Sequence, residues 1–495
     1  MNEELKILYE ELGYTGPVPD PSRRERGGIG EPSPDEKEHG LPPLDDESLK
    51  ALETSLHDRP RETLALIRAH FPTAISDDEI RGAVAAARSA FDAPIKFVEQ
   101  RRAERQQPDD DRRDRGGLED SPPVPDDMIL YPEIPILPDN HRFEPKKDTL
   151  GWIVNTGVRF VRHTFKKNPE RAPFPAHDQH PSGFIYEMQD RQGRAVEPEQ
   201  TIRVALFSDF GTGLYHSRYI ARLIAAEKPD YAIHLGDVYY AGRAAEFTER
   251  FEAPLSYVLE TTRFFAMNAN HEMYSGAFPY FDFLRRKQRG RVGWAPQEQE
   301  GSYFCLRGPR YQIIGIDTAY HQDGRHNQRQ LNEWLGGVLH DGRNAAPAKT
   351  NILLSPNEPY DLGTQGFTAL YNDLQEFIQA GLIDNWFWGN THYCALYGKS
   401  EFTPFVGSCI GHGGHPIYLN DVLAGAAVHP RFEHKGQRAA PLLWVDDSTR
   451  FPKASGIRQE MANHGFCMLE LRPEGVQLTY RDWQNRQLFQ QVISI

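Results

Sequence analysis

Several short apolar runs in this sequence end in side chains that bind metals or move protons. The runs have the length and composition of buried strands, and they are residues 204–207, 231–235, 264–267 and 386–388. The side chains that follow them are Asp209, Asp237, Asn270, His271 and His392. Carboxylates, amides and imidazoles are metal ligands, and a bound metal ion can activate water for hydrolysis. The pattern is typical of a metal-centred hydrolytic site.

The first two runs predict a strand–helix–strand unit that brings two carboxylates together. Gly211 and Gly213 form the turn after the first strand, and apolar residues then recur at helical spacing until Pro229. A helix crossover makes the two strands parallel, and open α/β sheets bind their ligands beyond the carboxyl ends of the strands. We therefore expect Asp209 and Asp237 to lie at the same sheet edge.

Turn formation is the alternative explanation for each of these residues. A single Asp at a strand end is more often a turn former or a helix cap than a metal ligand. Two further apolar runs, 311–316 and 352–354, also end in polar residues. Turn chemistry does not explain metal-type residues at so many strand ends, whereas a site with several ligands requires them there. The repetition favours the metal site.

The C-terminal segment predicts three more strands. Residues 466–471, 476–480 and 488–493 are strand-like and are separated by turn residues. Such a series is typical of an antiparallel meander that adds to a second sheet. Residues 200–495 should therefore form one sandwich of two sheets with helices outside.

Four motifs in this order resemble those of the calcineurin-like metallophosphoesterases. They are Asp209, Gly236-Asp237-x-x-Tyr240, Asn270-His271-Glu272 and Gly389-x-x-His392. Tyr240 is similar to the tyrosine of the purple acid phosphatase branch. The resemblance covers residues 203–416, with the closing strands at 465–495. It implies an α/β fold, a four-layer αββα sandwich of two mixed sheets, and hydrolysis of phosphate esters.

The resemblance also implies a role for each motif residue. Asp209, Asp237, Tyr240 and His392 would hold a first metal ion. Asp237 would bridge to a second ion, which Asn270 also binds, and His271 would lie over the leaving group as the catalytic histidine. The implied cofactors are divalent or trivalent ions of iron, manganese or zinc, and the implied partner is a small phosphate ester or a nucleotide.

Three positions depart from the family pattern: Ala269 replaces the glycine before Asn270, a milder change, and the other two belong to the second metal. Pro356 stands where a metal-binding histidine normally follows its strand, and Asn390 replaces the first histidine of the paired motif. Proline offers no side-chain donor, and an amide oxygen is a weaker ligand than imidazole for a transition metal. Asn390 and Glu358 remain as contacts for a second metal or for substrate. We expect one ion to be held firmly and a second weakly or not at all.

This asymmetry leaves two functions open. In the first, the protein is a phosphoester hydrolase, a phosphatase or a phosphodiesterase, that uses metal-activated water and is weakened at the second position. In the second, it is a catalytically impaired member of the family that acts as a binding or regulatory module. The retained His271, whose use is chemical, favours the first.

Composition limits the classes of partner and compartment. The chain of 495 residues has a formal net charge of −14, which disfavours strong non-specific binding to nucleic acid. Its four cysteines show no C-x-x-C spacing, so neither a zinc ribbon nor a disulfide framework is indicated. The N-terminus lacks a signal-peptide pattern and no window resembles a membrane span. We expect a cytoplasmic protein with no membrane partner.

The region before the sandwich divides by composition. Residues 1–44 are rich in proline, glycine and charge and predict a flexible tail. Residues 45–105 carry amphipathic helical patterns and predict a small helical module, which offers a surface for a protein partner or for self-association. Residues 106–145 predict a linker, and residues 146–495 the metallophosphoesterase-like domain.

Overall fold

The structure is a computed structural model that describes residues 170–289, 295–363, 366–417, 419–448 and 462–494, and isolated positions between 64 and 134. The chain divides into two compact units, one of residues 1–118 and 139–169 and one of residues 119–138 and 170–495. The predicted tail lies outside the described residues, as do most of the helical module and the linker. In the first unit, Leu64, Ile80 and Val84 are helical and buried.

The second unit begins with elements that alternate between strand and helix. They are β1 (Ile185–Glu187), β2 (Ile202–Phe207), α1 (Tyr215–Glu227), β3 (Tyr231–His234), a π-helix (Glu246–Glu252), α2 (Ser256–Thr261), β4 (Arg263–Ala266), α3 (Asn270–Tyr274), α4 (Phe278–Arg289), β5 (Phe304–Arg307) and β6 (Tyr311–Gly315). The predicted strand–helix–strand unit is confirmed as β2, α1 and β3, and β2 pairs with β3 in parallel.

The remaining elements complete two sheets. They are α5 (Arg329–Asn344), β7 (Thr350–Ser355), α6 (Ala369–Asp373), α7 (Gln375–Gln379), β8 (Asn385–Trp388), β9 (Cys394–Tyr397), β10 (Val406–Ile410), α8 (Leu419–Val428), β11 (Glu433–His434), β12 (Gln437–Arg438), β13 (Leu442–Val445), β14 (Gly465–Arg472), β15 (Gly475–Asp482) and β16 (Gln487–Ser494). Strands β11 and β12 form a separate two-stranded ribbon.

Both large sheets are mixed. The eight-stranded sheet has the order β1-β5-β6-β7-β8-β10-β9-β13, and the six-stranded sheet has the order β16-β15-β14-β2-β3-β4. In the six-stranded sheet, β2, β3 and β4 run parallel, while β14 pairs with β2 in the antiparallel sense. The predicted closing meander is therefore part of the sandwich, and it extends the sheet that contains β2.

The sheets pack face to face, with helices on their outer faces. Leu206 of β2 belongs to a core cluster with Ile313 of the eight-stranded sheet, whereas its neighbour Phe207 belongs to a second cluster with Ile220 of α1. This alternation follows from the two-residue period of a strand. Helix α5 buries Leu335 in the core on the side of the eight-stranded sheet. The predicted four-layer αββα arrangement is confirmed.

Two further expectations from the sequence concern the cysteines and membrane-spanning segments. All four cysteines are free and buried. Within the described part of the chain, we find no helix that combines the length and the apolar character needed to cross a bilayer.

Candidate metal centre

The loops that follow β2, β3, β8 and β10 meet around Asp209. The Asp209 backbone N–H donates to the Gly236 carbonyl (3.1 Å), which joins the loops after β2 and β3. The Asn390 backbone N–H donates to Asp209 Oδ2 (3.0 Å), and that of His415 donates to the Asp209 carbonyl (3.1 Å). These loops, which come from both sheets, therefore meet at one edge of the sandwich, with Asp209 at their centre.

The backbone at this edge adopts a conformation that side chains other than glycine rarely take. Asp209, Asp237, Asn390 and His392 have φ of 55°, 68°, 66° and 59°. A left-handed backbone at a residue other than glycine costs about 1 to 3 kcal/mol, and such residues persist where the surrounding structure holds them. Four such residues on three loops indicate that the loops are held in this shape for the positions of these side chains.

Three donor atoms form a small triangle at the centre. The Tyr239 hydroxyl lies 3.1 Å from Asp209 Oδ1 and 2.5 Å from His392 Nε2, and Asp209 Oδ1 lies 3.3 Å from His392 Nε2. A metal ion with ligand bonds of about 2.0 to 2.2 Å separates adjacent octahedral donors by about 3 Å. The triangle therefore has the dimensions of one face of a metal's coordination shell. We call these three atoms the first metal face.

The hydroxyl in the first metal face belongs to Tyr239, whereas the resemblance assigned the ligand role to Tyr240, and that assignment stays a prediction. Tyr240 borders the site through its carbonyl, 2.7 Å from His271 Nδ1, and through its ring, whose centroid lies 6.3 Å from that of His415. The sequence contains two consecutive tyrosines, and the spacing of the family motif selects the second. The local backbone decides which hydroxyl reaches Asp209, and no sequence signal reports that.

Buried carboxylates dominate the electrostatics of the centre. Asp209 and Asp237 are fully buried. Burial raises the pKa of Asp209 to about 7, and burial together with the charges of Asp209 and Glu272 raises the pKa of Asp237. Asp237 Oδ1 accepts the backbone N–H of His271 (3.4 Å), but Asp237 Oδ2 is buried and has no hydrogen-bond partner among the described residues. A cation would satisfy these carboxylates, so the donor set fits a metal ion.

The histidines around the carboxylates are in the form that binds metals. Burial lowers the pKa of His392 to about 3 and that of His271 to about 4. Both rings are therefore neutral at neutral pH, and neutral imidazole is the ligating form. The hydrogen bond between His271 Nδ1 and the Tyr240 carbonyl places the ring proton on Nδ1 and leaves the lone pair on Nε2.

At the position that the resemblance gives to a second metal, the described side chains offer oxygen atoms. Asn270 Oδ1 is buried without a hydrogen-bond partner among the described residues, and Asn270 Nδ2 donates to the Tyr274 hydroxyl (2.9 Å). Asn390 Nδ2 donates to Glu358 Oε2 (2.9 Å), and burial raises the pKa of Glu358 to about 7.

Pro356 occupies the other position where the family carries a histidine. It lies against the loop after β3, because a Cβ on Gly236 would approach the Pro356 Cβ to 3.3 Å. Its carbonyl accepts the backbone N–H of Gly389 (3.1 Å). Pro356 thus joins two site loops through its backbone and its ring, and it brings no donor side chain to them.

Among the described residues, no three of His, Cys, Asp and Glu are placed so that they could hold a metal ion together. The first metal face contains only two residues of these types, Asp209 and His392, and its third donor is a tyrosine. The structure thus brings Asp209 and His392 together, with Asp237 beside them.

Glu272 is a positioning residue that the sequence analysis named only as part of a motif. Its Oε1 accepts the Val238 N–H (2.9 Å), and its Oε2 accepts the N–H groups of Ala269 (3.0 Å) and Asp237 (3.2 Å). It therefore fixes the loop after β3 to the start of α3. Its place directly after His271 in the sequence was the available signal.

The fold and the donor set define a metallophosphoesterase-type domain, and comparison with protein families agrees. Residues 202–394 match the model of the calcineurin-like phosphoesterase family. The resemblance carried by the motifs is confirmed over these residues. Proteins of this family use divalent metals and hydrolyse phosphoesters. Comparison with curated protein sequences gave no match.

Solved structures with a similar fold share little sequence with this chain. GAP50, described as the anchor in the inner membrane complex of Plasmodium, is 12% identical, covers 60% of this chain and 89% of its own, and has a TM-score of 0.44. Purple acid phosphatase PPD1 from yellow lupin (Lupinus luteus) seeds is 15% identical, with coverages of 61% and 55% and a TM-score of 0.42. PhoD is 12% identical, with coverages of 59% and 68% and a TM-score of 0.40.

Proposed function

We propose that this chain is a metal-dependent phosphoester hydrolase with one firmly held ion and a weak second position. The observation that carries the proposal is the first metal face. Tyr239 Oη lies 3.1 Å from Asp209 Oδ1 and 2.5 Å from His392 Nε2, and the latter two atoms are 3.3 Å apart. The family match over residues 202–394 supports the reaction class.

The first metal face combines a carboxylate, a phenol and an imidazole. Iron, manganese and zinc accept such mixed oxygen and nitrogen donors. When bound, the ion supplies the Lewis acidity that polarises a phosphoryl oxygen and makes water acidic. Ser208 Oγ donates to Asp209 Oδ2 (2.6 Å), which leaves Asp209 Oδ1 directed at the face.

His271 is the proposed proton carrier. Its ring packs against Tyr239 with centroids 4.1 Å apart, so it borders the first metal face. Because Nδ1 is engaged by the Tyr240 carbonyl, Nε2 is the atom that can take up a proton and return it to a leaving oxygen. The low pKa of His271 keeps Nε2 unprotonated at neutral pH, so the proton that it would give to the leaving oxygen would first come from the attacking water.

The second position is proposed to be weak because its donors are few and mostly neutral. Asp237 Oδ2 and Asn270 Oδ1 are the buried oxygens without partners. The Asn390 side-chain nitrogen donates a hydrogen bond to Glu358, so this amide is engaged with a protein group. An oxygen-rich, imidazole-free position suits manganese or magnesium better than zinc.

A binding or regulatory module remains the second candidate, and one observation favours it. Pro356 and Asn390 both hold loop contacts at the positions where the family carries histidines. Under this alternative, the chain binds one metal ion and a phosphate-containing ligand without turning the ligand over.

Turnover separates the two candidates. Purified full-length chain should be loaded with manganese or with zinc and assayed on an aryl phosphate monoester and an aryl phosphate diester, with Asp209→Asn as the matched inactive variant. We expect slow hydrolysis of at least one substrate that rises with millimolar manganese and disappears in the variant. Metal binding without any turnover above the variant would favour the binding module instead.

A further inference from the structure

The loop after β10 brings an additional histidine to the candidate metal centre. We call residues 411–415, with the sequence Gly-His-Gly-Gly-His, the histidine loop. The His415 N–H donates to the Asp209 carbonyl (3.1 Å), and Ser217 Oγ donates to the Gly413 carbonyl (3.1 Å). A Cβ on Gly413 would lie only 2.0 Å from the Ser208 carbonyl oxygen, so glycine is required there. The histidine loop is therefore fastened directly to the loop that carries Asp209.

The His415 ring packs on two residues of the first metal face. Its centroid lies 4.2 Å from that of Tyr239 and 4.3 Å from that of His392. Tyr239 also packs against His271 at 4.1 Å. Two imidazoles, His271 and His415, thus border the same tyrosine ring, and His415 has no counterpart in the motifs that identify the family.

The His415 ring has a buried nitrogen that forms no hydrogen bond with the described residues. Nδ1 is buried and has no hydrogen-bond partner among the described residues, although the side chain as a whole is half-exposed. Leaving a buried polar atom unsatisfied costs about 1 to 3 kcal/mol. A phenylalanine would give the same ring packing without this cost, so packing alone does not explain an imidazole at this position.

An incoming phosphoryl group needs hydrogen-bond donors that arginine and lysine do not supply here. Burial, carboxylates, hydrogen-bond donors and other histidines have the strongest effects on the pKa values of the four titratable groups at this edge, Asp209, Asp237, His392 and His415. No Arg or Lys of the described residues is among these strongest effects. Phosphoryl oxygens are bound by N–H donors. At this edge no described residue forms a hydrogen bond with Nδ1 of His415, which leaves the ring N–H for a ligand.

We infer that His415 contacts the phosphoryl group of the substrate, donating a ring N–H to a phosphoryl oxygen. The inference rests on the proposed function, because it names a substrate contact in the same site. His415 acts beside the first metal face and does not belong to it, so its loss should weaken phosphate binding and leave the metal content unchanged.

Two variants of His415 separate a substrate contact from ring packing. His415→Phe keeps the aromatic packing on Tyr239 and His392 but removes the N–H, whereas His415→Gln keeps an N–H donor but removes the ring. His340→Gln, on the exposed side of α5, is the matched control. The manganese-loaded full-length chain should be titrated with inorganic phosphate by calorimetry, with metal content and circular dichroism recorded for each variant.

We expect His415→Phe to weaken phosphate binding about tenfold, the equivalent of one hydrogen bond, and His415→Gln to weaken it less. Tighter binding by His415→Phe than by His415→Gln would assign the residue to packing and overturn the inference, as would a fall in metal content in either folded variant. Unchanged binding in His415→Phe with hydrolysis intact would overturn the inference alone. Absence of both phosphate binding and turnover in the unaltered chain would overturn the proposed function as well.

Discussion

The two halves of the metal centre differ in how their donor atoms are used. In the first metal face, Asp209, Tyr239 and His392 lie within 2.5 to 3.3 Å of one another. At the second position, Asp237 Oδ2 and Asn270 Oδ1 have no hydrogen-bond partners among the described residues. The same edge of the sandwich therefore carries one connected donor set beside oxygen atoms that have no partner among the described residues.

This difference teaches which contacts of the site loops are independent of the second position. Asn390 donates its backbone N–H to Asp209 and its side-chain amide to Glu358, so the loop after β8 remains attached to its neighbours. Pro356 likewise accepts a backbone hydrogen bond from Gly389. The backbone contacts that position Asp209 and His392 do not depend on the two missing imidazoles.

The largest effect is expected from removing the carboxylate at the centre of the comparison. Asp209→Asn should reduce metal affinity by more than the roughly 10 to 100-fold that loss of an outer-shell partner costs, because a charged donor itself is lost. Competition with a chelator measures this affinity, and Asp282→Asn on the surface of α4 is the control. Retention of the metal by Asp209→Asn would show that Asp209 is not a metal ligand.

The adjacent tyrosines provide a matched pair that tests the geometry of the first metal face. Tyr239→Phe should lower metal affinity about tenfold or more, because it removes an oxygen donor next to Asp209 and His392. Tyr240→Phe should have the smaller effect, since the hydroxyl beside Asp209 and His392 is that of Tyr239. With ferric iron bound, visible absorption from a phenolate ligand should disappear in Tyr239→Phe. The reverse order of effects would return the role to Tyr240.

The fold could be predicted from the sequence to a larger extent than the site. Apolar runs and turn residues specified β2, β3, β4, β6, β7 and β8 and the closing meander, because strand length and composition are local properties. The contacts of Tyr239 and His415 depend on backbone geometry and on distant loops, which no local pattern encodes, whereas the place of Glu272 after His271 was a local signal.

Restoring the second position is a gain-of-function test of the comparison. Pro356→His with Asn390→His should raise the affinity for a second ion about tenfold or more, because imidazoles replace a missing donor and an amide. The single variants serve as controls, since each restores only one ligand. Metal content per chain measures the result, and zinc should now bind as a second ion. No change in the double variant would show that ligand loss is not what weakens the position.

The smallest effect concerns a histidine of the six-stranded sheet that takes no part in the metal centre. His234 of β3 is buried against Phe207 and Phe251 without hydrogen-bond partners among the described residues. Burial lowers its pKa to about 3, so the unfolded chain binds a proton that the folded chain excludes, and stability falls as pH drops from the ordinary value of 6.5 towards 3.

His234→Phe should abolish this part of the acid sensitivity. Its loss of unfolding free energy between about pH 7.5 and about pH 5 should be about 2 kcal/mol smaller than that of the unaltered chain. Urea unfolding at both pH values gives the difference, and His340→Gln is the exposed control. An equal pH dependence in His234→Phe and in the unaltered chain would contradict the assignment.

The most direct test of the central claim is a count of metal ions per chain during titration with manganese. The asymmetry between the first metal face and the second position predicts one ion that survives dialysis and a second that binds only in the millimolar range. Two ions that both survive dialysis, or none, would contradict it.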